Sequence, residues 1–534
     1  RSLFGNSPTA HRLINILLYI LLGLLLFLFT ESILKQKFKP EVASVMAFAA
    51  ALLFISHPIH TEAVTNIKGR DEIMAMLGAV GALYILIRRK VDELTIRDYA
   101  LASIVFLIGL LSKENAITFL AVAPLTAWIF FRKPLKFSLP FLISAVIFMI
   151  IRTSVIGLDL GAEPSGEFMN NPYLKVVNGQ YIPYSFPEKM ATIFHTLWKY
   201  VQLLIVPWPL THDYYPNHVS LKLWSSPTAI LGLLSYLGFA AFVAIGVIRK
   251  KTWGFFIAYY LLTISIVSNI VFPIGTHMSE RFLFMPSFAF AGLMSMLLFR
   301  FNRKVGYIVL IIMVTIYSWA TFTRNAVWKD NYTLFTTDAL TSVNSAKANN
   351  AAGGTISEKI QTMPDGPERT ALIERGHQHL SRALEIHPNY INAYLLKGNL
   401  FFHQQQFDEA IAMYDRSLSI NSTYPDALRN KFMALRESGR HQGEKLNNLQ
   451  RSAQLLEQAL LLQPNDFETN RLLGTCYGIM GRHEMAVKYF KKCSELQPNN
   501  GAIFVNLAKA YEFVGDEQKA QQAAARAREL GTTQ

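Results

Sequence analysis

The chain has 534 residues, of which 51% are hydrophobic, and its mean hydropathy is positive at +0.24. This length predicts more than one domain, and this hydrophobicity excludes an ordinary soluble protein of the same size. The net charge of +14 does not indicate a nucleic-acid-binding protein, because the basic excess falls in short clusters between apolar runs. The two cysteines, Cys476 and Cys493, are too few for a disulfide framework or a metal site.

The N-terminal part, residues 1–329, is predicted to be a multi-span membrane domain. Its apolar runs recur at a length of about twenty residues, which is the length a helix needs to cross a bilayer. The sequence therefore predicts about ten spans. They are 12–34, 41–56, 72–88, 99–112, 115–131, 138–151, 227–248, 252–271, 283–299 and 305–323.

Five basic clusters predict the topology, because Lys and Arg accumulate in cytoplasmic loops. If all five share that side, the chain crosses an even number of times between the third cluster and the fourth. The apolar stretch 190–206 is then an amphipathic helix in the interface and not a span. Residues 152–226 form one large non-cytoplasmic loop. The clusters are Lys35/Lys37/Lys39, Arg88/Arg89/Lys90, Arg132/Lys133/Lys136, Arg249/Lys250/Lys251 and Arg300/Arg303/Lys304.

The chemically rich segments all fall on the opposite side of this topology. The stretch His57–Glu72 carries histidines, carboxylates and cations pressed against two apolar runs. Such a cluster cannot face lipid, so it is either a solvated loop or a site at the membrane surface, and we favour the site. The residues 112–115, 211–214 and 277–281 are predicted to share this face.

Residues 330–534 are polar and helical, and they show a period of 34 residues between Pro464 and Pro498. Small and aromatic residues stand at tetratricopeptide packing positions, among them Gly398, Tyr414 and Phe490. About four repeats are readable, with insertions near 353–367 and 441–450. The predicted fold class is all-α, a polytopic membrane bundle followed by an α-solenoid.

The motifs HPIHTEAV with GRDE, SKENAIT, HDY and SERFLFMPS, followed by the repeats, resemble the transmembrane and TPR repeat-containing protein O-mannosyltransferases, which are C-type glycosyltransferases. The resemblance implies transfer of mannose from a polyprenyl phosphate to Ser/Thr hydroxyls of proteins on the non-cytoplasmic face. It also implies a main catalytic base just after a first span. Since Arg1–His11 resembles the end of that loop, we expect the base upstream of Arg1.

The predicted site follows from this chemistry. An inverting transfer needs a carboxylate for the hydroxyl proton and cations for the leaving phosphate. Glu62, Asp71 and Glu114 are the supporting carboxylates. The candidate phosphate-binding residues are Arg281, Arg70 and Lys113, with ion pairs to the neighbouring Glu280, Asp71 and Glu114 as the alternative.

His57, His60, Asp213 and Glu280 complete the predicted site. The two histidines could bind a metal, but hydrogen bonds to the loop backbone are favoured. No cofactor is firmly expected, and a divalent metal stays an open alternative.

Two other functions stay open: a membrane-anchored scaffold without catalytic activity, and a lipid-linked sugar transferase acting on a glycolipid. The expected partners are a polyprenyl-phosphate sugar, a protein acceptor bound by the repeats, and the bilayer, with no nucleic acid. A bacterial plasma membrane with periplasmic repeats is favoured over the endoplasmic reticulum membrane.

Overall fold

The computed structural model describes residues 7–89, 93–131, 134–157 and 167–532. The predicted topology residues Lys90, Arg132 and Lys133 lie outside these ranges, as does the part of the large loop from 158 to 166. The chain forms two compact units, Arg1–Asn349 and Asn350–Gln534. Helices dominate both units, which confirms the predicted all-α fold class.

Apolar helices lie at all ten predicted span positions in the first unit. Within the residues that the structure describes, five helices are long and apolar enough to cross a membrane: Pro8–Leu34, Glu114–Phe131, Lys136–Ile156, Pro227–Ile248 and Arg303–Val327. A sixth span results if the helix Pro40–Ser56 and the helical segment Pro58–Thr65, which are bent by 51° relative to each other, cross the membrane together. The helices are α1 Pro8–Leu34, α2 Pro40–Ser56, α3 Thr61–Thr65, α4 Arg70–Ile87, α5 Ile96–Ser112, α6 Phe119–Thr126, α7 Pro134–Ile156, α8 Phe186–Ile205, α9 Pro227–Ile248, α10 Thr252–Ser265, α11 Ser287–Leu298, α12 Arg303–Val327 and α13 Asn331–Thr341.

Helices α10 and α11 have 14 and 12 residues, so both are shorter than their predicted spans 252–271 and 283–299. The chain between them forms a turn and not a helix, because the Asn269 side chain bonds to backbone groups of residues 274–277. Its amide donates to the carbonyls of Thr276 and His277, at 3.0 and 3.2 Å, and its oxygen accepts from the Ile274 N–H at 3.0 Å. The freed segment carries Ser279 to Arg281.

The amphipathic helix predicted at 190–206 is present as α8, and its apolar face packs on the bundle core through Ile193, Leu197 and Leu204. An antiparallel hairpin precedes it, with β1 at Leu174–Val177 and β2 at Gln180–Pro183. This hairpin was not predicted. Its turn is Asn178–Gly179, with φ of 51° and 78°, and an Asn-Gly pair is a signal for such a turn.

The structural division at 349/350 falls later than the predicted boundary at 329/330. The reason is that α13 and the turn after it bond to the loop before α9. The Ser342 hydroxyl donates to the carbonyl of Asp213 at 2.8 Å, and the Ser345 hydroxyl donates to the carbonyl of Tyr215 at 2.7 Å. Helix α13 therefore belongs with the first unit.

The second unit stacks antiparallel helix pairs, as tetratricopeptide repeats do. A Cβ on Gly398 would lie 2.5 Å from the Tyr414 ring, so glycine allows the helices Ile391–His403 and Phe407–Ile420 to approach each other. The insertion at 441–450 lengthens the helix Pro425–Glu444 to 20 residues. The helices are α14 Ala346–Lys359, α15 Pro367–Ile386, α16 Ile391–His403, α17 Phe407–Ile420, α18 Pro425–Glu444, α19 Leu449–Leu462, α20 Phe467–Ile479, α21 His483–Leu496, α22 Gly501–Val514 and α23 Glu517–Glu529.

Candidate functional site

The polar connectors of the first unit meet at one end of the bundle and bring charged side chains together. We call this group the polar site and define it by six residues from three parts of the chain. They are Glu62, Asp71, Glu72, Lys113, Glu280 and Arg281.

Arg281 pairs with Glu62 and not with its neighbour Glu280. The Arg281 guanidinium lies 3.4 Å from the Glu62 carboxylate, which also accepts from the Ser279 hydroxyl at 3.5 Å. Glu62 is only 6% exposed, whereas Arg281 is 45% exposed. The buried carboxylate therefore anchors one edge of a guanidinium that stays accessible to a ligand.

Glu280 is buried and bonded to neutral groups. It accepts hydrogen bonds from the Tyr214 hydroxyl, at 2.9 Å, and from the Thr211 backbone N–H. Burial raises the pKa of Glu280 to about 8, and the attraction of Arg324 offsets this only in part. Glu280 thus fixes the loop 211–214 against the site and does not neutralise Arg281.

Lys113 joins two helices at the other side of the polar site. Its ammonium lies 2.7 Å from the carboxylate of Glu72, which is 2% exposed, and 3.1 Å from that of Asp71. The contact forms because α4 and α5 pack closely: a Cβ on Gly78 would lie 2.6 Å from the Cα of Gly109. Two glycines thus place the end of α5 beside the start of α4.

Two predicted residues lie apart from this cluster. The Glu114 carboxylate contacts the Arg152 guanidinium and is 58% exposed, so the alternative pair with Lys113 does not form. Arg70 donates to the Asn15 side chain at 2.8 Å and to the His11 carbonyl at 3.1 Å, instead of pairing with Asp71. Arg70 therefore ties the connector to α1.

The two predicted histidines are buried and hydrogen-bonded. His57 donates through Nε2 to the Leu204 carbonyl at 3.0 Å. The ring nitrogens of His60 are hydrogen-bonded to the hydroxyls of Tyr19, at 2.6 Å, and Ser287, at 2.8 Å. Within the described ranges no group of three or more His, Cys, Asp or Glu side chains could hold a metal ion. Both histidines lock the connector to neighbouring helices.

Asp213 shapes the loop after α8, since its carboxylate accepts from the Tyr215 N–H at 2.6 Å. The sequence interpretation missed its neighbour His212. The buried Asp338 on α13 binds the His212 N–H at 2.7 Å and the Nδ1 at 2.8 Å, and it holds Arg324 at 2.5 and 2.8 Å. His212 stood in the HDY motif, but nothing in the sequence linked Asp338 to it.

The sequence interpretation also did not include Glu72 among the site residues, although Glu72 directly follows Asp71.

Comparisons with known proteins agree with this architecture. Residues 1–156 match the model of the dolichyl-phosphate-mannose-protein mannosyltransferase family, and residues 391–424 and 471–500 each match a tetratricopeptide repeat. Protein O-mannosyl-transferase TMTC3 of Homo sapiens is 25% identical over 94% of this chain and 56% of its own length. The Mus musculus TMTC3 is 24% identical over 86% of this chain and 53% of its own.

A third relative, protein O-mannosyl-transferase F38B6.6 of Caenorhabditis elegans, is 23% identical over 65% of this chain and 46% of its own length. The chain thus spans about half the length of the curated relatives it matches. The resemblance identified from the motifs is confirmed: residues 1–156 match the dolichyl-phosphate-mannose-protein mannosyltransferase model, tetratricopeptide repeats follow, and the curated relatives that the chain matches include the TMTC protein O-mannosyl-transferases.

Proposed function

We propose that this protein is a membrane O-mannosyltransferase that moves mannose from a polyprenyl phosphate to Ser/Thr hydroxyls of proteins. The observation that carries the proposal is the pairing of an accessible cation with a buried carboxylate, Arg281 with Glu62. A guanidinium held at one edge keeps its other N–H groups directed at a ligand, and phosphate matches that geometry.

Lys113 supplies a second positive charge near the first. The positive charge of Arg281 attracts the Glu72 carboxylate as well as that of Glu62. The Arg281–Glu62 pair and the Lys113–Glu72 pair are therefore neighbours. In the proposed reaction the acceptor hydroxyl oxygen attacks the anomeric carbon, its proton passes to a carboxylate acting as general base, and the bond from that carbon to the phosphate oxygen breaks. Arg281 and Lys113 stabilise the charge that develops on the leaving phosphate.

Asp71 has the most accessible carboxylate of the polar site, with 40% of its side chain exposed. We assign it the role of orienting the acceptor hydroxyl, with Glu62 orienting Arg281. Two predicted residues receive other roles. Glu114 lies with Arg152, and Arg70 stabilises the connector, so neither is proposed to contact the donor.

The repeats are proposed to bind an extended acceptor polypeptide, and the polar site and the repeats to share the non-cytoplasmic face. A bacterial plasma membrane remains the proposed location. The endoplasmic reticulum membrane is the alternative, and the relatives come from animals.

The test is transfer of labelled mannose from a polyprenyl phosphate to a Ser/Thr-rich polypeptide by the purified product of the complete gene in nanodiscs. We expect product with the wild-type chain and a loss of at least about tenfold with Glu62→Gln, because Arg281 loses its anchor. Transfer to a glycolipid instead of protein would support the alternative of a lipid-linked sugar transferase that acts on a glycolipid. Absence of any transfer by a folded chain would favour a scaffold.

A further inference from the structure

A cavity outside the polar site lies between α8 and the chain that follows it. Its volume is about 390 Å³. Tyr214 and Thr211 also line it, on the side nearest Glu280. The other polar and aromatic residues that line it are Trp198, Lys199, Gln202, Trp208, His218 and Thr341.

The cavity lining carries the ammonium of Lys199 and the imidazole of His218, and among its described lining residues there is no carboxylate. Burial and then the charge of Lys222 lower the pKa of Lys199. Burial and then Lys199 lower the pKa of His218 to about 4, and the His218 Nδ1 is buried without a hydrogen-bond partner. In the described part of the chain Lys199 forms no ion pair, whereas Lys175 on β1 pairs with Glu188 in the first turn of α8 at 2.7 Å. An anion would satisfy these groups.

The surface beside the cavity is apolar. Ile205 is 57% exposed, Val206 is 61% exposed and Trp208 is 70% exposed, and all three line the cavity. Helix α8 has the amphipathic pattern of a helix that lies along a membrane interface. A basic interior with an apolar rim fits an amphiphile that carries an anionic head and hydrocarbon chains.

We propose that this cavity binds the phosphate-bearing headgroup of an anionic bilayer phospholipid. Lys199 and His218 contact the phosphate, and Trp208 and Ile205 contact the glycerol and upper acyl region. The site is separate from the one proposed for the sugar donor, because none of the six residues of the polar site lines this cavity. The proposal depends on the membrane location and not on the transfer reaction, so each can fail alone.

The experiment uses the full chain in detergent, titrated with short-chain phosphatidylglycerol or phosphatidylcholine, with native mass spectrometry counting bound lipid. We expect phosphatidylglycerol to bind in preference. Lys199→Gln should weaken that binding about fivefold, the effect of one basic residue at a lipid surface. Lys199→Arg should retain it. The control is Lys189→Gln on the same helix, since Lys189 contacts the Tyr173 ring and does not line the cavity.

Three results would overturn the proposal. Equal binding of the two lipids would show that the headgroup charge is not recognised. Protection of Lys199 from amine acylation by inorganic phosphate but not by phosphatidylglycerol would leave only a free-ion site. Displacement of phosphatidylglycerol by equimolar polyprenyl phosphate, with loss of both on Lys199→Gln, would assign the cavity to the donor. If Lys199→Gln does not fold, His218→Gln serves as the second variant with the same expected loss.

Discussion

Arg281 contacts Glu62, which lies 219 residues earlier in the chain, and does not pair with the adjacent Glu280. The contact joins the chain before α11 to the connector before α4. Glu62 is buried and Arg281 is half exposed, so two kinds of substitution at Arg281 have different consequences. A substitution that removes the positive charge leaves the buried Glu62 carboxylate without its partner. A substitution that keeps the charge alters only the geometry that the side chain offers to a ligand.

The first prediction follows from that difference. Arg281→Lys keeps the charge beside Glu62 but loses the planar fork that binds phosphate. Mannose transfer should fall at least about tenfold while the melting temperature stays near that of the wild type. The matched control is Arg303→Lys at the exposed start of α12, which should leave transfer unchanged. Full activity of Arg281→Lys would remove this residue from the donor site.

The second prediction concerns Glu280 and pH. Its pKa of about 8 lies above the value of 4.5 that an unperturbed carboxyl has, so folding keeps a proton that the unfolded chain releases. The contribution of Glu280 to stability is therefore greatest below about pH 4.5 and declines as pH rises towards 8. Glu280→Gln keeps the acceptor oxygen for Thr211 and Tyr214. The melting temperature of this variant relative to the wild type should increase from pH 5 to pH 8. A constant difference would contradict a raised pKa.

The third prediction tests the buried pair of Lys113 and Glu72. Lys113→Met leaves the Glu72 carboxylate buried without its cation, which costs about 3–5 kcal/mol in comparable pairs. The melting temperature should fall clearly, and adding Glu72→Gln should recover part of the loss. Glu114→Gln is the control, because its carboxylate is largely exposed and such surface pairs contribute only about 0–1 kcal/mol. An equal loss in the control would refute the pairing.

The fourth prediction concerns the boundary of the repeat domain. A fragment of residues 346–534, which keeps α14 whole, should be soluble, monomeric in gel filtration and helical by circular dichroism. A fragment that begins at 330 should be more prone to aggregate, since it carries α13, with its buried Leu334 and Ala339, without the loop that bonds to Asp338 and Ser342. Equal behaviour of the two fragments would mean that α13 does not depend on the first unit.

The fifth prediction is the topology. Single cysteines at Lys90, Asn217 and Gln404 should react with an impermeant reagent in intact cells or sealed vesicles at 217 and 404 but not at 90. Asn217 and Gln404 are exposed. In a eukaryotic host the acceptor sites Asn331 and Asn421, both exposed, should carry glycans. Labelling of position 90 from outside would refute the assignment of sides.

Much of the fold follows from periodic patterns. Apolar runs placed the helices of the bundle, and a 34-residue period located repeat positions such as Gly398 and Tyr414, because both signals are local and recur. The ends of α10 and α11 could not be predicted. There a single side chain, Asn269, takes over the backbone hydrogen bonds of a segment whose composition suits a longer helix.

Most residues of the polar site were named from the sequence, but their pairings were not, and their role in transfer stays a prediction. Charge next to apolar runs identified Glu62, Asp71, Lys113 and Arg281, since such residues need neutralising partners. Sequence proximity then suggested the wrong partners. The partners in the structure depend on how closely α4 and α5 approach and on where the loop at His212 contacts α13. Both are tertiary contacts between distant segments, so local sequence does not predict them.

The bonds between α13 and the loop after α8 also set an order for biogenesis. Thr211 shares a hydrogen bond with Ser342, 131 residues later, so the loop cannot complete its hydrogen bonds until the last apolar helix and α13 have been synthesised. Ribosomes deliver the N-terminal elements first, and domains fold as units. A nascent chain stopped after α12 would therefore contain the helices of the bundle but lack the hydrogen-bond partners of the loop after α8. Protease should cut that loop near His212 until translation passes Ser345.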